Sequence, residues 1–423
     1  MLDLRYIRDN EAAVRQAMAQ RGAEVDLDGL LRVDHARRAV LQEAEQLKSE
    51  RNAVSKEIGV RKRAGEDTTD QQSRMRCVGQ RIQELDEESR RLQADLQERL
   101  LPIPNIPCAD VPVGPDASGN RVVREVGTRP AFDFEPATHV DLAERLGLVD
   151  FARGAKISGS GFLVYTGWGA RLERALIQFM LDLHTREHGY TEIQPPLLCH
   201  AATMTGTGQL PKMADDMYAV ESDGLYLIPT AEVPLTNLHR EELLDRPLPI
   251  KYVAHTPCFR REAGAAGRDT RGMIRVHQFD KVELVQLVEP DQSYAVLEEL
   301  VQHAETVLQR LELPYRVCEL CTGDLGFAAA RCYDIELWAA GHQDWLEVSS
   351  CSNFEDFQAR RAGIRYRDGA GKPRFVHTLN GSGVALARLY VALLEQYQQA
   401  DGSVRIPAAL CPYLDGKDRL QAV

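Results

Sequence analysis

The stretch CFRREAGAAGRDTRGMIRVHQFDKVE, residues 258–283, decides the fold. It reads as a strand ending near Glu262, a glycine-rich basic loop, and a returning strand that carries Arg275, His277, Phe279, Lys281 and Glu283 at odd positions. Side chains two apart share one face of a strand, so one face of the return strand holds the polar groups and one aromatic. The other face holds Ile274, Val276, Val282 and Leu284, which suit a core, with Gln278 and Asp280 interrupting. A half-buried sheet with one charged face is the arrangement an ATP site needs. No P-loop or dinucleotide glycine pattern occurs elsewhere, which argues against those nucleotide folds.

Working outward, the chain is too long for one small domain and fits two, one of them large. Apolar content of 44% is ordinary, so a packed core is expected. The formal charge of −12 means that any nucleic-acid contact comes from local basic patches, not from a global field. The nine cysteines are scattered, which fits free thiols in a reducing compartment. Cys318 and Cys321 form a single CxxC with no second pair or His cluster, so no zinc is expected. No apolar run reaches the length of a membrane span, and the expected location is the cytoplasm.

Residues 28–58 and 70–100 are polar, proline-free and carry narrow apolar stripes. These are Val40, Ala44, Leu47, Val54 and Ile58 in the first run, and Met75, Val78, Ile82, Leu85, Leu92 and Leu96 in the second. Stripes this narrow pair two helices as a coiled coil, and the short link 59–70 makes the pair antiparallel. Arg61, Lys62 and Arg63 sit at the tip, where a charge run is either a solvated face or a grip on phosphates. Five prolines between Pro102 and Pro115 break the helix and place a domain boundary near residue 110. Beyond it, residues 170–188 read as an amphipathic helix, and strand-like runs alternate with loops and a helix over 293–311, an α+β pattern.

Residues 258–283 resemble motif 2 of a class II aminoacyl-tRNA synthetase in its seryl-tRNA synthetase form. TGTGQLPK (205–212) with LIPTAEVPLTNLHR (227–240), LEVSSCSNFEDFQARR (346–361) and HTLNGSG (377–383) agree with that family in the same order. The resemblance covers nearly the whole chain. It implies a class II antiparallel sheet with flanking helices over 111–423, and a tRNA-binding domain over 1–110 whose arm embraces the long variable arm of tRNA(Ser). The implied reaction is activation of L-serine by ATP and transfer to tRNA(Ser), with tRNA(Sec) as a further substrate. Residues 170–196 resemble motif 1, which implies a homodimer, although an ordinary helix packed on a sheet has the same sequence appearance.

The resemblance also distributes roles. The serine side is Thr230, Ala231, Glu232, Arg260, Glu283, Asn380 and Ser382, with Thr230 and Glu232 toward the substrate ammonium and Glu283 toward its hydroxyl. The ATP side is Arg260, Arg261, Glu262, Arg271, Val276, Phe279, Arg388 and the run Glu347, Val348, Ser349 and Ser350. Within it, Glu262 meets the adenine amino group, Phe279 stacks on adenine, and Arg271 and Arg388 reach the outer phosphates. Arg388 otherwise points to solvent beside Glu395, on a helix expected to start at the Gly-Ser-Gly turn. Glu347 and Ser350 are the implied Mg2+ ligands. Three residues apart, they fall on opposite faces of an ideal strand, so shared metal binding requires the strand to end or kink near Ser349. One departure stands out: the family's usual Arg-Phe pair before the motif 1 helix is replaced by Gly161-Phe162.

A catalytically dead paralogue is disfavoured because Arg260, Glu262, Glu283, Glu347 and Arg388 are all present. A ligase for carrier proteins is disfavoured by the arm, which such relatives lack.

Overall fold

The computed structural model of the chain describes residues 1–263 and 272–422. The chain divides into two compact units, one of residues 2–19 and 23–103, the other of residues 104–423 with Met1 and 20–22. The division falls a few residues before the position that the prolines suggest. Asn105 explains why: its side-chain amide is buried and donates to the carbonyls of Ala328 and Phe354, both at 2.9 Å. Pro102 therefore closes the first unit, and the prolines from Pro104 onward run within the second.

The first unit is dominated by two helices, α1 (Leu27–Arg63) and α2 (Thr69–Leu100). At 37 residues and 1.5 Å per residue, α1 is about 55 Å long. The helix runs through Gly59 to Arg63, so the turn is only 64–68 and the basic triplet occupies the last helical turn. Cations there complement the helix dipole, which helps the helix outlast the glycine. Ala44, Met75, Ile82, Leu85 and Leu96 are buried along the seam. Along the seam from Val40 to Ile58 the partner helix covers one side only, so Val40, Leu47, Val54 and Ile58 stay half-buried. Arg74 pairs with Glu50 at 2.6 Å, Arg81 with Glu43 at 2.9 Å and Arg99 with Asp26 at 3.1 Å. Each exposed pair contributes little stability, but the pairing of later with earlier residues fixes the antiparallel register.

The second unit is built on an eight-stranded sheet. In chain order its main elements are β1 (Arg121–Val126), α3 (Trp168–Arg186), β2 (Thr191–Glu192), α4 (Glu232–Asn237), β3 (Ile250–Phe259), β4 (Gln278–Val288), α5 (Ser293–Arg310), β5 (Tyr315–Glu319), β6 (Arg331–Ala339), β7 (Asp344–Asn353), α6 (Phe357–Ala362), β8 (His377–Ala385) and α7 (Leu386–Tyr397). The strand order is β1-β5-β6-β7-β8-β4-β3-β2, antiparallel throughout except for the short β2 beside β3. Leu172, Leu176 and Met180 of α3, Leu297, Leu300 and Leu308 of α5, and Leu389 and Leu393 of α7 join Val282, Leu284 and Ile335 of the sheet in one core. Alternation along the strands then leaves the opposite face to polar side chains. Among the described residues, no helix is long and apolar enough to cross a membrane.

Candidate active site

A cavity of about 610 Å³ opens on that polar face. Phe279, Lys281 and Glu283 of β4 line it, as their alternation requires, with Glu347 and Ser350 of β7, Asn380 and Ser382 of β8, and Arg388 of α7. Thr230, Glu232, Arg260, Glu262, Val276 and Val348 of the expected set line it too. Arg271 lies outside the described residues.

Several local readings change. Strand β3 ends at Phe259 and β4 begins at Gln278, so Arg260, Glu262, Arg275 and His277 are not on strand faces. Arg260 and Glu262 reach the cavity from the segment past the strand end. Glu262 does so at φ 52°, a left-handed conformation uncommon for a residue with a Cβ, and its carboxylate accepts from Arg275 Nη1 at 3.0 Å. Val276, expected to face the core, lines the cavity instead, whereas Ile274 packs against the core as expected and also borders the cavity. Asp280, the interruption on the apolar face, is paired with His255 of β3 at 2.7 Å. Arg261 is exposed and does not line the cavity, nor do Ala231 and Ser349. Ala231 is buried at the start of α4. Ser349 is buried facing away, with Oγ donating to the carbonyl of Ser382 at 2.5 Å, so it braces the pocket wall. Thr230 and Glu232 share the cavity through the turn into α4, not through strand alternation.

At one end of the cavity the groups are arranged around two carboxylates. Glu283 Oε1 accepts from Asn380 Nδ2 at 2.9 Å, and Oε2 accepts from Ser382 Oγ at 3.5 Å and pairs with Lys281. The register makes this possible, because Glu283 stands opposite Ser382 and diagonal to Asn380. Glu232 is buried and takes a 2.7 Å bond from Gln358, whose own oxygen accepts from Thr378 at 2.7 Å. Burial, and then the neighbouring Glu283, push the Glu232 carboxyl up to about 7.

At the other end, Glu347 and Ser350 do reach one face. Ile335 opposes Ser349 while Glu336 opposes Glu347, so Val348 is the extra residue of a β-bulge in β7. A bulge inserts one residue and returns the alternation to phase, so two residues three apart can face the same way. The local kink that shared facing requires near Ser349 is therefore this bulge, one residue before it. Arg388 lies over this end, with Nη1 donating to the Glu347 carbonyl at 2.7 Å and Nε to the Ile274 carbonyl at 3.2 Å. The expected Gly-Ser-Gly helix start is overturned: Gly381, Ser382 and Gly383 lie within β8, and α7 begins at Leu386. Arg388 does not point to solvent beside Glu395. Glu395 is fully buried, accepting from His139 and from the backbone of Gly341 and His342.

The N-terminal 107 residues match the family model for the seryl-tRNA synthetase N-terminal domain, and residues 218–397 match the class II core domain of the G, H, P, S and T synthetases. A serine–tRNA ligase of Syntrophotalea carbinolica is 54% identical over the full length of both chains. The chain belongs to the seryl-tRNA synthetase family. A serine–tRNA ligase of Thermomicrobium roseum is 56% identical over 99% of this chain and 95% of its own. Among solved structures, the seryl-tRNA synthetase of Pyrococcus horikoshii complexed with ATP is 40% identical, with both chains fully covered and a TM-score of 0.94. The cytoplasmic serine–tRNA ligase of Naegleria fowleri in complex with AMP is 28% identical over 100% of this chain and 99% of its own, with a TM-score of 0.89.

The departure from the family pattern at Gly161 has a local cause. Gly161 sits at φ 81°, and a Cβ there would lie 2.4 Å from His277 Cδ2. Its carbonyl accepts from the His277 backbone at 2.9 Å, and Phe162 packs on the His277 ring at 5.4 Å. His277 in turn accepts from the Arg260 N–H at 2.9 Å and donates from Nδ1 to the Arg260 carbonyl at 3.0 Å. The glycine thus supports the backbone of Arg260 through one intervening residue. Gly161→Ala is expected to lower Tm by several degrees and to reduce serine-dependent pyrophosphate exchange about tenfold, because strain and displacement of His277 cost about 1–3 kcal/mol. A thermal melt and an exchange assay check this.

Three participants were not assigned roles from sequence. Gln358 positions Glu232 from within a different motif, as the thirteenth residue of 346–361, and nothing local marks it. Arg275 holds Glu262, although its place beside the basic loop was visible. Lys281 was visible on the polar face of β4, but its partners come from elsewhere in the chain.

Proposed function

We infer that this protein activates L-serine with ATP and transfers the serine to the terminal ribose of tRNA(Ser), and of tRNA(Sec) where the organism makes one. The observation that carries this is one cavity with two chemically distinct ends: a buried carboxylate pair lined by hydroxyl and amide donors, and an arginine-bearing end with a carboxylate and a hydroxyl side by side, with Arg260 available to both. Relatives named as serine–tRNA ligases, and a solved relative complexed with ATP, support the same reading.

In the first step the serine carboxylate attacks the α-phosphate of ATP and the bond to the β-phosphate breaks, releasing pyrophosphate. Two anions must approach, so the guanidinium of Arg260 stabilises the developing charge between them. Arg388 holds the outer phosphates, and Phe279 offers its ring to adenine. Glu262 accepts from the adenine amino group while Arg275 holds it in place. In the second step a ribose hydroxyl of the tRNA attacks the activated carbonyl and AMP leaves. Glu347 and Ser350 fit a magnesium ion: they are hard oxygen donors few enough to leave places for phosphate and water. When bound, the ion would neutralise charge on the phosphates.

The pocket selects serine through Glu283, which accepts from the side-chain hydroxyl, while Asn380 and Ser382 limit its size. Pyrophosphate exchange with serine, threonine, alanine and glycine tests the reading, followed by charging of tRNA. Exchange with serine alone supports it, and exchange with another amino acid or with none overturns it.

Glu232 gives this reaction a pH signature. A protonated carboxyl cannot offer charge to the substrate ammonium, and burial keeps Glu232 protonated up to about pH 7. The value of kcat/KM for serine is therefore expected to rise with pH through about 7 with unit slope. The limb in kcat should lie lower, because bound ammonium favours the ionised form. Glu232→Gln should remove the limb and lower kcat/KM for serine.

We assign the tRNA contact to the arm and to residues 1–110, with Arg61, Lys62 and Arg63 at its tip. Arg61 is tied to Glu66 at 2.6 Å, Lys62 to Gln72 at 3.2 Å, and Arg63 to its own helix at Gly59, so all three remain at the surface. Replacing all three with alanine is expected to raise KM for tRNA and to reduce the salt dependence of tRNA binding by up to about three in slope. Pyrophosphate exchange without tRNA should not change. Assembly as a homodimer through residues 170–196 and a cytoplasmic location complete the reading, both supported by the family resemblance.

A further inference from the structure

Lys281 has no role in the reaction as described, yet it is 6% exposed and lies in the cavity wall. Its Nζ donates to Thr230 Oγ1 at 2.8 Å and pairs with Glu283 Oε2. Thr230 Oγ1 also accepts from the backbone N–H of Glu232 at 3.2 Å. A hydroxyl has two acceptor lone pairs and one proton, so both acceptor places on Thr230 are filled from within the protein. Thr230 can then only donate, and its side chain cannot receive the substrate ammonium. On Glu283, Oε2 is taken by Lys281 and Ser382, whereas among the described residues Oε1 takes only Asn380. One acceptor place remains, on Oε1.

We propose that Lys281 sets the hydrogen-bond polarity of the serine pocket: by holding Thr230 Oγ1 and Glu283 Oε2 together it makes Thr230 a donor, leaves Glu283 Oε1 as the acceptor for the substrate hydroxyl, and directs the substrate ammonium to Glu232. It is a positioning residue that determines specificity through its two partners. The inference rests on the reading that the cavity takes serine. It also accounts for a buried lysine paired with a buried carboxylate, since a buried charge needs a fixed partner. Discrimination follows from the same geometry. A substrate that cannot donate a hydrogen bond leaves Oε1 unmatched, and loss of a partner from a buried polar site is what makes rejection strong.

The test is a double-mutant cycle on the full-length protein, read by pyrophosphate exchange with serine and with alanine. Lys281→Met is expected to raise KM for serine about 30-fold or more, because Thr230 and Glu283 lose their shared donor. KM for ATP should stay within about threefold, and the preference for serine over alanine should fall at least tenfold. Lys281→Arg, which retains the charge, should recover part of the preference. In a Glu283→Gln background, Lys281→Met should cost less than about threefold, because a neutral amide does not need the cation. The inference is overturned if the two substitutions act additively, if KM for serine and ATP rise together, or if Lys281→Met leaves serine kinetics unchanged while the thermal melt shows a folded protein. If the unsubstituted protein exchanges with no serine at all, the substrate reading itself fails and the inference falls with it. Serine activity that is normal in the unsubstituted protein but insensitive to Lys281 sinks only the inference.

Discussion

Arg260→Gln is expected to lower serine-dependent pyrophosphate exchange by about 10³-fold, since one donor aimed at developing charge in a closed site is worth about 10²–10³ in rate and a charged donor at the upper end of that range. The geometry explains why so much rests on one side chain. The Arg260 backbone is held on both sides by His277, its Nε donates to the Pro229 carbonyl at 3.3 Å, and its guanidinium lies 5.2 Å from the centre of the Phe279 ring. Among the described residues, its terminal nitrogens have no protein hydrogen-bond partner, so they are free for the serine carboxylate and the α-phosphate. Binding of ATP alone should weaken by less than about tenfold, because Arg388 and Phe279 remain and the arginine acts chiefly where the two anions meet. Arg260→Lys should recover only part of the rate, as an ammonium cannot reproduce the planar fork. Exchange kinetics with an ATP-binding measurement decide the matter. Activity within tenfold of the unsubstituted protein would mean that Arg260 is not the bridging group.

The second large effect is at Glu283. Glu283→Gln keeps the shape of the pocket but removes the charge that receives the serine hydroxyl, and it leaves Lys281 without its anionic partner. The expected fall in kcat/KM for serine is about 10²–10³-fold, with alanine nearly unaffected, so the preference for serine collapses. Comparing exchange with the two amino acids in the same preparation separates this from a general loss of activity. An equal loss with both would show that Glu283 supports the fold of the site and does not read the substrate. Glu283→Ala should be worse for a different reason. It opens a cavity and leaves the Lys281 ammonium with no acceptor at that position, which costs about 3–5 kcal/mol, so its thermal melt should fall further than that of Glu283→Gln, whose amide oxygen can still accept.

Much of the site could be read from local pattern because its chemistry is distributed along a few strands. Alternation is a property of any strand, so Phe279, Lys281 and Glu283 were placed on one face before any partner was known. The errors cluster where chain geometry departs from the ideal. Arg260 and Glu262 were read as strand residues, but the strand ends before them and Glu262 adopts a left-handed conformation to reach the cavity. The Gly-Ser-Gly run looked like a turn because glycine and serine disfavour strands, yet burial between β7 and β4 overrides that preference. Glu395 looked like a solvated partner for Arg388, and only the packing of α7 against His139 and Gly341 buries it.

By itself, the sequence determined which segments form the arm, which strand face is polar, and which residue types are available to hold an amino acid and a nucleotide. These are matters of periodicity and composition, which act over a few residues. Tertiary structure decided which of those residues converge. Glu347 and Ser350 meet because one residue bulges out of β7 against β6, Asn380 meets Glu283 because β8 pairs with β4 in one register, and Lys281 acquires Thr230 from a turn some fifty positions away. Convergence of this kind depends on the pairing of distant strands, and strand register follows from the burial of a whole face, not from the residues that later share a bond.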